Sequence, residues 1–117
     1  MTSGNARWPW PEELEGTVAA PDSHRVLLET RDLRVLEISI EPGAREPEHV
    51  HRHPSVMIVD RPARIRYYEA GRLTFESGPG NLADKSARAM WMAPEGLHSV
   101  ENVDSQPYRA FRVELLR

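Results

Sequence analysis

The chain is organised around one stretch, Pro42-Gly43-Ala44-Arg45-Glu46-Pro47-Glu48-His49-Val50-His51-Arg52-His53-Pro54-Ser55. It holds three of the five histidines. Residues two apart in an extended strand point to the same face, so two imidazole rings lie side by side, from either His49 and His51 or His51 and His53. Neutral imidazole nitrogens are common ligands of divalent metals. The stretch therefore predicts a strand that carries part of a metal site.

A second stretch, Pro94-Glu95-Gly96-Leu97-His98-Ser99-Val100-Glu101-Asn102, supplies another histidine much later in the chain. A third imidazole from a distant strand would complete one face of a coordination sphere and leave a position open for water or substrate. We therefore predict His49, His51 and His98 as metal ligands.

Together the two stretches resemble the two motifs of the cupin superfamily. In the first motif, five residues separate a Gly from His-x-His, as five residues separate Gly43 from the His49 and His51 pair here. The second motif has Pro-x-Gly, then His, then Asn after three residues, and its counterparts here are Pro94, Gly96, His98 and Asn102. The resemblance spans about residues 27 to 116. It implies that Gly43, Gly96 and Asn102 are structural residues of the turns.

Three positions depart from the family pattern. Three residues separate His51 from Ser55, which stands where the family has its metal-binding Glu. Pro62 replaces the Gly that closes the first motif, and Arg88 replaces the Gly before the second motif. Without that Glu the site resembles the three-histidine variants of the family. The resemblance then implies a divalent metal, which could be Fe, Mn, Ni or Zn.

Composition restricts the classes of protein that the chain can represent. Its 117 residues suffice for one domain. No apolar run approaches the ~20 residues of a membrane span, and the formal charge of −3 argues against a nucleic-acid partner. The absence of cysteine excludes disulfides and thiolate ligands. We expect a cytoplasmic protein with no membrane partner.

The hydrophobic pattern predicts strands almost throughout. We expect an irregular N-terminal arm over residues 1–23 with one helical turn after Pro11, then a barrel over 24–117. Strands are predicted at 25–30, 33–40, 55–60, 63–69, 73–76, 89–93, 98–103 and 108–116. Turns at Arg31-Asp32 and Ala70-Gly71 predict hairpins, and Asp104-Ser105-Gln106-Pro107 is expected to turn the last two strands back on each other. The strand at Ser55 is expected to be buried on both faces. Residues 77–88, with Gly78-Pro79-Gly80, predict an exposed connection.

Short strands separated by regular turns predict an all-β antiparallel sandwich or barrel, which the resemblance narrows to a small jelly roll. Sheet edges and the tryptophan-rich arm favour a homodimer.

Other pocket residues follow from strand parity and position. His53 and Ser55 adjoin the ligand pair, Tyr67 alternates with charged neighbours, and Arg109 is in phase with Phe111, Val113 and Leu115. If that phase faces inward, Arg109 could clamp a carboxylate.

Two functions remain open. One is a metal-dependent enzyme, of dioxygenase or isomerase type, acting on a small organic and possibly carboxylate-bearing molecule. The other is a non-catalytic cupin that binds or senses a small ligand. A weaker alternative is a metal-free isomerase whose histidines act as general bases.

Overall fold

A computed structural model describes residues 8–77 and 89–117 of the chain. This part forms nine strands: β1 (His24–Glu29), β2 (Leu33–Ile40), β3 (His49–His51), β4 (Ser55–Arg61), β5 (Ile65–Glu69), β6 (Arg72–Glu76), β7 (Ala89–Met92), β8 (Glu95–Asn102) and β9 (Tyr108–Leu115). A 3₁₀ turn, Glu12–Leu14, and a short helix α1, Gly16–Ala19, precede them. Among the described residues, no helix is long and apolar enough to cross a membrane. The connection predicted over 77–88 lies, apart from Ser77, outside them.

The strands form two antiparallel sheets. One has the order β1-β2-β9-β4-β7 and the other β3-β8-β5-β6. The predicted hairpins β1–β2 and β5–β6 are confirmed. At the β5–β6 turn, Ala70 and Gly71 both have positive φ, as a two-residue hairpin loop of type I′ requires. The prediction of an all-β antiparallel fold is therefore confirmed.

The turn after β8 behaves differently from the prediction. β8 pairs with β3 and β5, whereas β9 pairs with β2 and β4, so residues 104–107 carry the chain from one sheet to the other. Asn102 holds this crossover: its Nδ2 donates to the carbonyls of Ile40 (2.9 Å) and Gln106 (2.8 Å), and its Oδ1 accepts from the Asp104 N–H (2.8 Å).

The core lies between the sheets, where Leu36, Ile38 and Ile40 of β2 are buried as predicted. They pack with Tyr108 and Ala110 of β9. The inward phase of β9 therefore corrects the prediction for Arg109, because the even-numbered residues, and not Arg109, face the interior. The same inward phase buries two charged residues, Arg112 and Glu114.

The outer face of the five-stranded sheet is apolar. Across the strands, Trp91 lies opposite Val56, Val56 opposite Val113, Val113 opposite Val35, and Val35 opposite Leu28. Ile58, in the next row, is 42% exposed and Trp91 is 60% exposed. The prediction that β4 is buried on both faces is thus wrong for the single chain.

The N-terminal arm packs against the barrel beside β3. Glu15 forms a parallel bridge with Val50, and its carboxylate accepts from the Arg52 N–H (3.3 Å). Gly16 is buried, and a Cβ added there would lie 2.8 Å from the His24 ring and 3.0 Å from the His51 ring. The turn after β2 uses Gly43 at φ +80°, a conformation that other residues rarely adopt.

Candidate metal centre

Strand pairing brings the three predicted ligands together. His49 and His51 lie on β3, and His98 of β8 is the register partner of His49. The ring centroids of His49 and His98 are 4.3 Å apart, and the ring of His51 lies 5.0 Å from His49 and 5.2 Å from His98. All three residues are at most 2% exposed. Only Leu97 separates Gly96 from His98, one residue fewer than in the second cupin motif.

A fourth histidine joins the cluster. His24, the first residue of β1, is buried, with its ring 4.6 Å from His49 and 5.2 Å from His51. The sequence analysis missed it, because it belongs to neither motif and comes from the other sheet. Its one sequence signal was its place beside a predicted strand. The structure therefore contains a four-histidine cluster: His24, His49, His51 and His98.

His53 stays outside this cluster. It lies in the bend after β3 and is half-buried. The alternative ligand pair, His51 and His53, is thus not the pair that the fold gathers with His98.

Each ring of the four-histidine cluster has its Nδ1 turned toward an acceptor. His49 Nδ1 lies 2.8 Å from the Pro47 carbonyl, His98 Nδ1 2.7 Å from that of Gly96, and His24 Nδ1 3.0 Å from that of Ala20. His51 Nδ1 faces the Glu114 carboxylate at 3.8 Å. A proton held on Nδ1 by such an acceptor leaves the Nε2 lone pair free for a metal.

Burial keeps these rings neutral. It lowers the pKa of His24 to about 4 and of His49 to about 2, and it also lowers the pKa of His51 and of His98. Like-charge repulsion within the cluster and from Arg112 adds to the effect of burial. Neutral imidazole is the form that binds metals.

Glu95 and Arg112 form a buried ion pair next to the cluster. Arg112 Nη2 donates to Glu95 Oε1 (2.6 Å), and Tyr67 Oη donates to Glu95 Oε2 (2.6 Å), which lies 3.7 Å from His98 Nε2. Burial disfavours ionisation of Glu95, but Arg112, His98 and the hydrogen bonds outweigh it and hold its pKa below the usual value. Glu95 is therefore an anion within this pair.

Arg112 also contacts Ser55. Its Nη1 donates to Ser55 Oγ (3.1 Å), and Ser55 is fully buried. Ser55 stands where the family's carboxylate was expected, so a hydroxyl bound to a guanidinium replaces that negative charge. The carboxylate near the site comes instead from Glu95 on β8, which the sequence analysis did not single out.

Glu46 is a second buried carboxyl at the cluster. Its Oε2 accepts from the Ser23 hydroxyl (2.7 Å), and its Oε1 lies 3.7 Å from His49 Nε2. Burial raises its pKa to about 7, against the opposing effect of the Ser23 hydrogen bond.

A cavity of about 490 Å³ opens above these polar groups. The four histidines gather at one end with Glu46, Glu95 and Arg112, and both sheets supply the mostly apolar remainder of the wall. Among the predicted pocket residues, Tyr67 lines the cavity, with its ring stacked on that of His98 at 5.1 Å. Arg109 instead pairs with Asp60 and Glu37 on the outer face of the sheet. The lining residues include Ile38, Ile40, Met57, Val59, Ile65, Val100, Tyr108 and Arg112.

The same architecture occurs in solved structures. A cupin domain from Bordetella pertussis Tohama I superposes with a TM-score of 0.62 at 16% identity, over 80% of this chain and 92% of that one. A protein with a double-stranded β-helix domain from Klebsiella pneumoniae superposes with a TM-score of 0.55 at 23% identity, over 79% of this chain and 74% of that one. The chain folds as a cupin.

A third similar structure is the polyketide cyclase RemF from Streptomyces resistomycificus, with a TM-score of 0.54 at 19% identity over 80% of this chain and 64% of that one. No protein-family model matches the sequence, and no curated protein matches it significantly. At these identities the likeness establishes the cupin fold alone.

The residues of this cupin barrel fit a divalent ion. Candidate ligand atoms of His24, His49 and His51 lie within 4.8 Å of one another, as do those of His51, Glu95 and His98. Nitrogens that share an ion at about 2.1 Å lie at most about 4.2 Å apart, so small movements would close either set on a metal. His49 Nε2 is buried and has no hydrogen-bond partner among the described residues. A metal ion would satisfy that atom.

Proposed function

We propose that this chain is a metal-dependent enzyme that binds a divalent ion through the four-histidine cluster and acts on a small organic molecule. The observation that carries the proposal is the common orientation of these rings. Three Nδ1 atoms lie within hydrogen-bond distance of a backbone carbonyl and that of His51 lies 3.8 Å from Glu114, which would leave the Nε2 atoms for a metal beside the cavity. A bound divalent ion would supply Lewis acidity toward a substrate oxygen, and Fe or Mn would add redox chemistry.

Proton transfer is the reaction type that the surrounding residues favour. Glu46 lies beside His49, is 7% exposed and lines the cavity, so it can accept a proton from a bound molecule. In an isomerisation its carboxylate would take a proton from the carbon next to a substrate carbonyl, leaving an enolate, and would return the proton to another atom. The Ser23 hydroxyl holds the carboxyl in place. The structural similarity to RemF, a polyketide cyclase, supports an enzymatic role.

Metal content tests the first part. We expect protein purified without chelators, or reloaded with Fe, Mn, Ni or Zn, to hold one ion per chain by elemental analysis. His98→Ala and His24→Ala should each reduce the occupancy strongly, whereas His53→Ala, which removes a histidine outside the cluster, should not. A wild-type protein that holds none of the four metals would refute the proposal.

Solvent deuterium exchange tests the second part. Metal-loaded protein should exchange the acidic C–H protons of some members of a panel of ketones and diketones, and Glu46→Gln should abolish the exchange while retaining the metal. Oxygen consumption by the iron-loaded form, with no exchange, would favour the dioxygenase alternative. Tight ligand binding with neither reaction would favour the non-catalytic cupin.

We also propose a homodimer formed through the apolar outer face of the five-stranded sheet. Its row Leu28, Val35, Val113, Val56 and Trp91 crosses all five strands, an apolar surface of a kind that single soluble domains rarely leave open. Two ion pairs, Arg25 with Glu37 and Arg109 with Asp60, lie along one side of this row. Such a mixed border suits a second copy of the same surface.

A further inference from the structure

The cavity is strongly divided into an apolar body and a charged end. Ile38, Met57, Val59, Ile65 and Val100 from both sheets line its walls, whereas the histidines and Arg112 lie at the polar end. Cavities of about 300–1,000 Å³ that have apolar walls and a few convergent polar groups typically bind small molecules. At ~30 Å³ per water, 490 Å³ corresponds to about 16 water-sized groups. The space fits one or two fused rings and is far larger than acetate or pyruvate needs.

Arg112 has donor capacity that the protein leaves unused. Two of its nitrogens donate to Ser55 and Glu95, but its Nε is buried with no hydrogen-bond partner among the described residues. A buried donor left unpaired costs roughly 1–3 kcal/mol, and more on a charged group. Arg112 lines the cavity, so an oxygen of a bound molecule that met Nε after a small movement of the guanidinium would recover that cost.

The charges at this end favour an anion. Glu95 balances Arg112 in a buried ion pair, Ser55 contributes no charge where a carboxylate was expected, and Glu46, which accepts from Ser23, is the one further carboxyl beside the histidines. Imidazole ligands add no charge to a divalent ion, so a bound ion would keep a net positive charge even beside an ionised Glu46. A ligand oxyanion is attracted both to that charge and to the free donor of Arg112.

We propose that the substrate class of this site is an apolar monoanion, an aromatic or alicyclic molecule with one carboxylate or enolate whose oxygen binds Arg112 beside the four-histidine cluster. This inference rests on the proposed function for the metal, while the anion preference rests on Arg112. Arg112 is a substrate-binding residue in this account, and Glu95 positions it. The apolar rings occupy the space between the two sheets.

Calorimetric titration of metal-loaded protein with 2-naphthoate, its neutral isostere 2-naphthamide, and acetate tests the inference. We expect 2-naphthoate to bind about 10- to 100-fold more tightly than 2-naphthamide, as a charge-assisted hydrogen bond provides. Acetate lacks the apolar rings and should bind more weakly still. Equal binding of the two naphthyl probes, or no binding of any probe, would overturn the inference.

Variants on one strand identify the residue responsible. Arg112→Met should remove the preference for the carboxylate, and Arg109→Met, on the outer face of the same strand, should keep it. Because Arg112→Met leaves Glu95 unpaired, the double variant Arg112→Met/Glu95→Gln provides a version without a buried lone charge. If this folded variant still prefers 2-naphthoate, Arg112 is not the anchor.

Elemental analysis of every sample separates the two proposals. Full metal occupancy together with no anion preference would overturn the substrate class alone. Absence of metal from the wild-type protein would overturn the proposed function, and a carboxylate preference that survived in the metal-free form would still support Arg112 as the anchor.

Discussion

At the residue scale, the site depends on side chains that contact the histidines from behind. Glu114 is the clearest example, because it is fully buried. Its Oε1 accepts from Arg34 Nε and lies 2.7 Å from Arg34 Nη2. Its Oε2 faces His51 Nδ1. Oε2 lies 3.8 Å from that nitrogen, beyond hydrogen-bond distance, and has no hydrogen-bond partner among the described residues. The negative charge of Glu114 would therefore favour a proton on His51 Nδ1 and leave Nε2 available.

Glu114→Gln should weaken both the fold and the metal site. Loss of the charge leaves Arg34 without its buried partner, which we expect to cost roughly 3 kcal/mol of unfolding free energy in urea titrations of the metal-free protein. Metal affinity should fall about 10- to 100-fold in a chelator competition. Glu76→Gln, which removes an exposed partner of Arg66, should change stability by at most ~1 kcal/mol and leave the affinity unchanged. Unaltered metal affinity in Glu114→Gln would show that His51 needs no carboxylate.

At the scale of elements, the N-terminal arm is a wall of the site. Its helix α1 begins at Gly16, whose lack of a side chain lets the backbone approach two imidazole rings. Trp10 packs over Gly96, where an added Cβ would lie 3.4 Å from the indole. The proposed boundary between arm and barrel at residues 23 and 24 thus separates Ser23 from the His24 ring that it contacts at 2.9 Å.

Gly16→Ala tests this close packing. The new methyl group would lie 2.8 Å from the His24 ring, so either the ring or the arm must move, and overpacking of this kind costs about 1–3 kcal/mol. Metal affinity should fall with stability. Gly43→Ala is a matched control, because its φ of +80° costs about 1–2 kcal/mol of strain with nothing near the added methyl. If both variants lose stability and both keep their metal affinity, α1 is not part of the site.

The elements also show what the sequence could predict. The His49-Val50-His51 motif and the later His98 carried the ligand pattern, and strand periodicity located β2 with its observed bounds. Strand phase was harder, since β9 alternates between two apolar faces: Phe111 and Val113 outside are as hydrophobic as Ala110 and Tyr108 inside. Apolarity therefore pointed to the wrong face, and Arg109 was chosen in place of Arg112.

His24, Glu95 and Arg112 could not be found from local pattern. They come from β1, β8 and β9, and they meet only because β1 and β9 share one sheet while β8 pairs with β3 in the other. Buried charges of this kind depend on partners that are distant in sequence, as Arg112 does on Glu95. Local spacing has no information about such pairs.

At the scale of the whole molecule, the apolar outer face determines assembly. Trp91→Glu would place a charge on β7, at one end of the apolar row of the proposed dimer interface, so light scattering should give the mass of a monomer. Leu73→Glu, at an equally exposed position on β6 of the other sheet, should remain dimeric. Deletion of residues 1–16 tests the contribution of the arm. A monomeric wild-type protein, or a dimeric Trp91→Glu, would contradict this interface.

Acid stability of the metal-free protein is also a property of the whole molecule, because four buried histidines must stay neutral in the fold. Unfolded histidine titrates near ~6.5, whereas burial lowers the pKa of His24 to about 4 and of His49 to about 2, and lowers those of His51 and His98. Below ~6.5 the unfolded chain therefore binds more protons than the folded one, so acid favours unfolding. Glu46 has the opposite effect, because its raised pKa of about 7 lets the folded state bind a proton first.

We expect the four histidines to outweigh Glu46 and also Glu15, whose pKa burial raises as well. Each histidine contributes up to ~1.4 kcal/mol per pH unit, so the unfolding free energy of the metal-free protein should fall as pH drops from about 6.5 toward 4. Urea titrations at several pH values measure it. His24→Gln should make the pH dependence shallower by one proton, whereas His53→Gln, at a half-exposed position, should change it less. Stability that rises on acidification over this range would mean that the cluster accepts protons in the folded state, and that its rings are not held as neutral ligands.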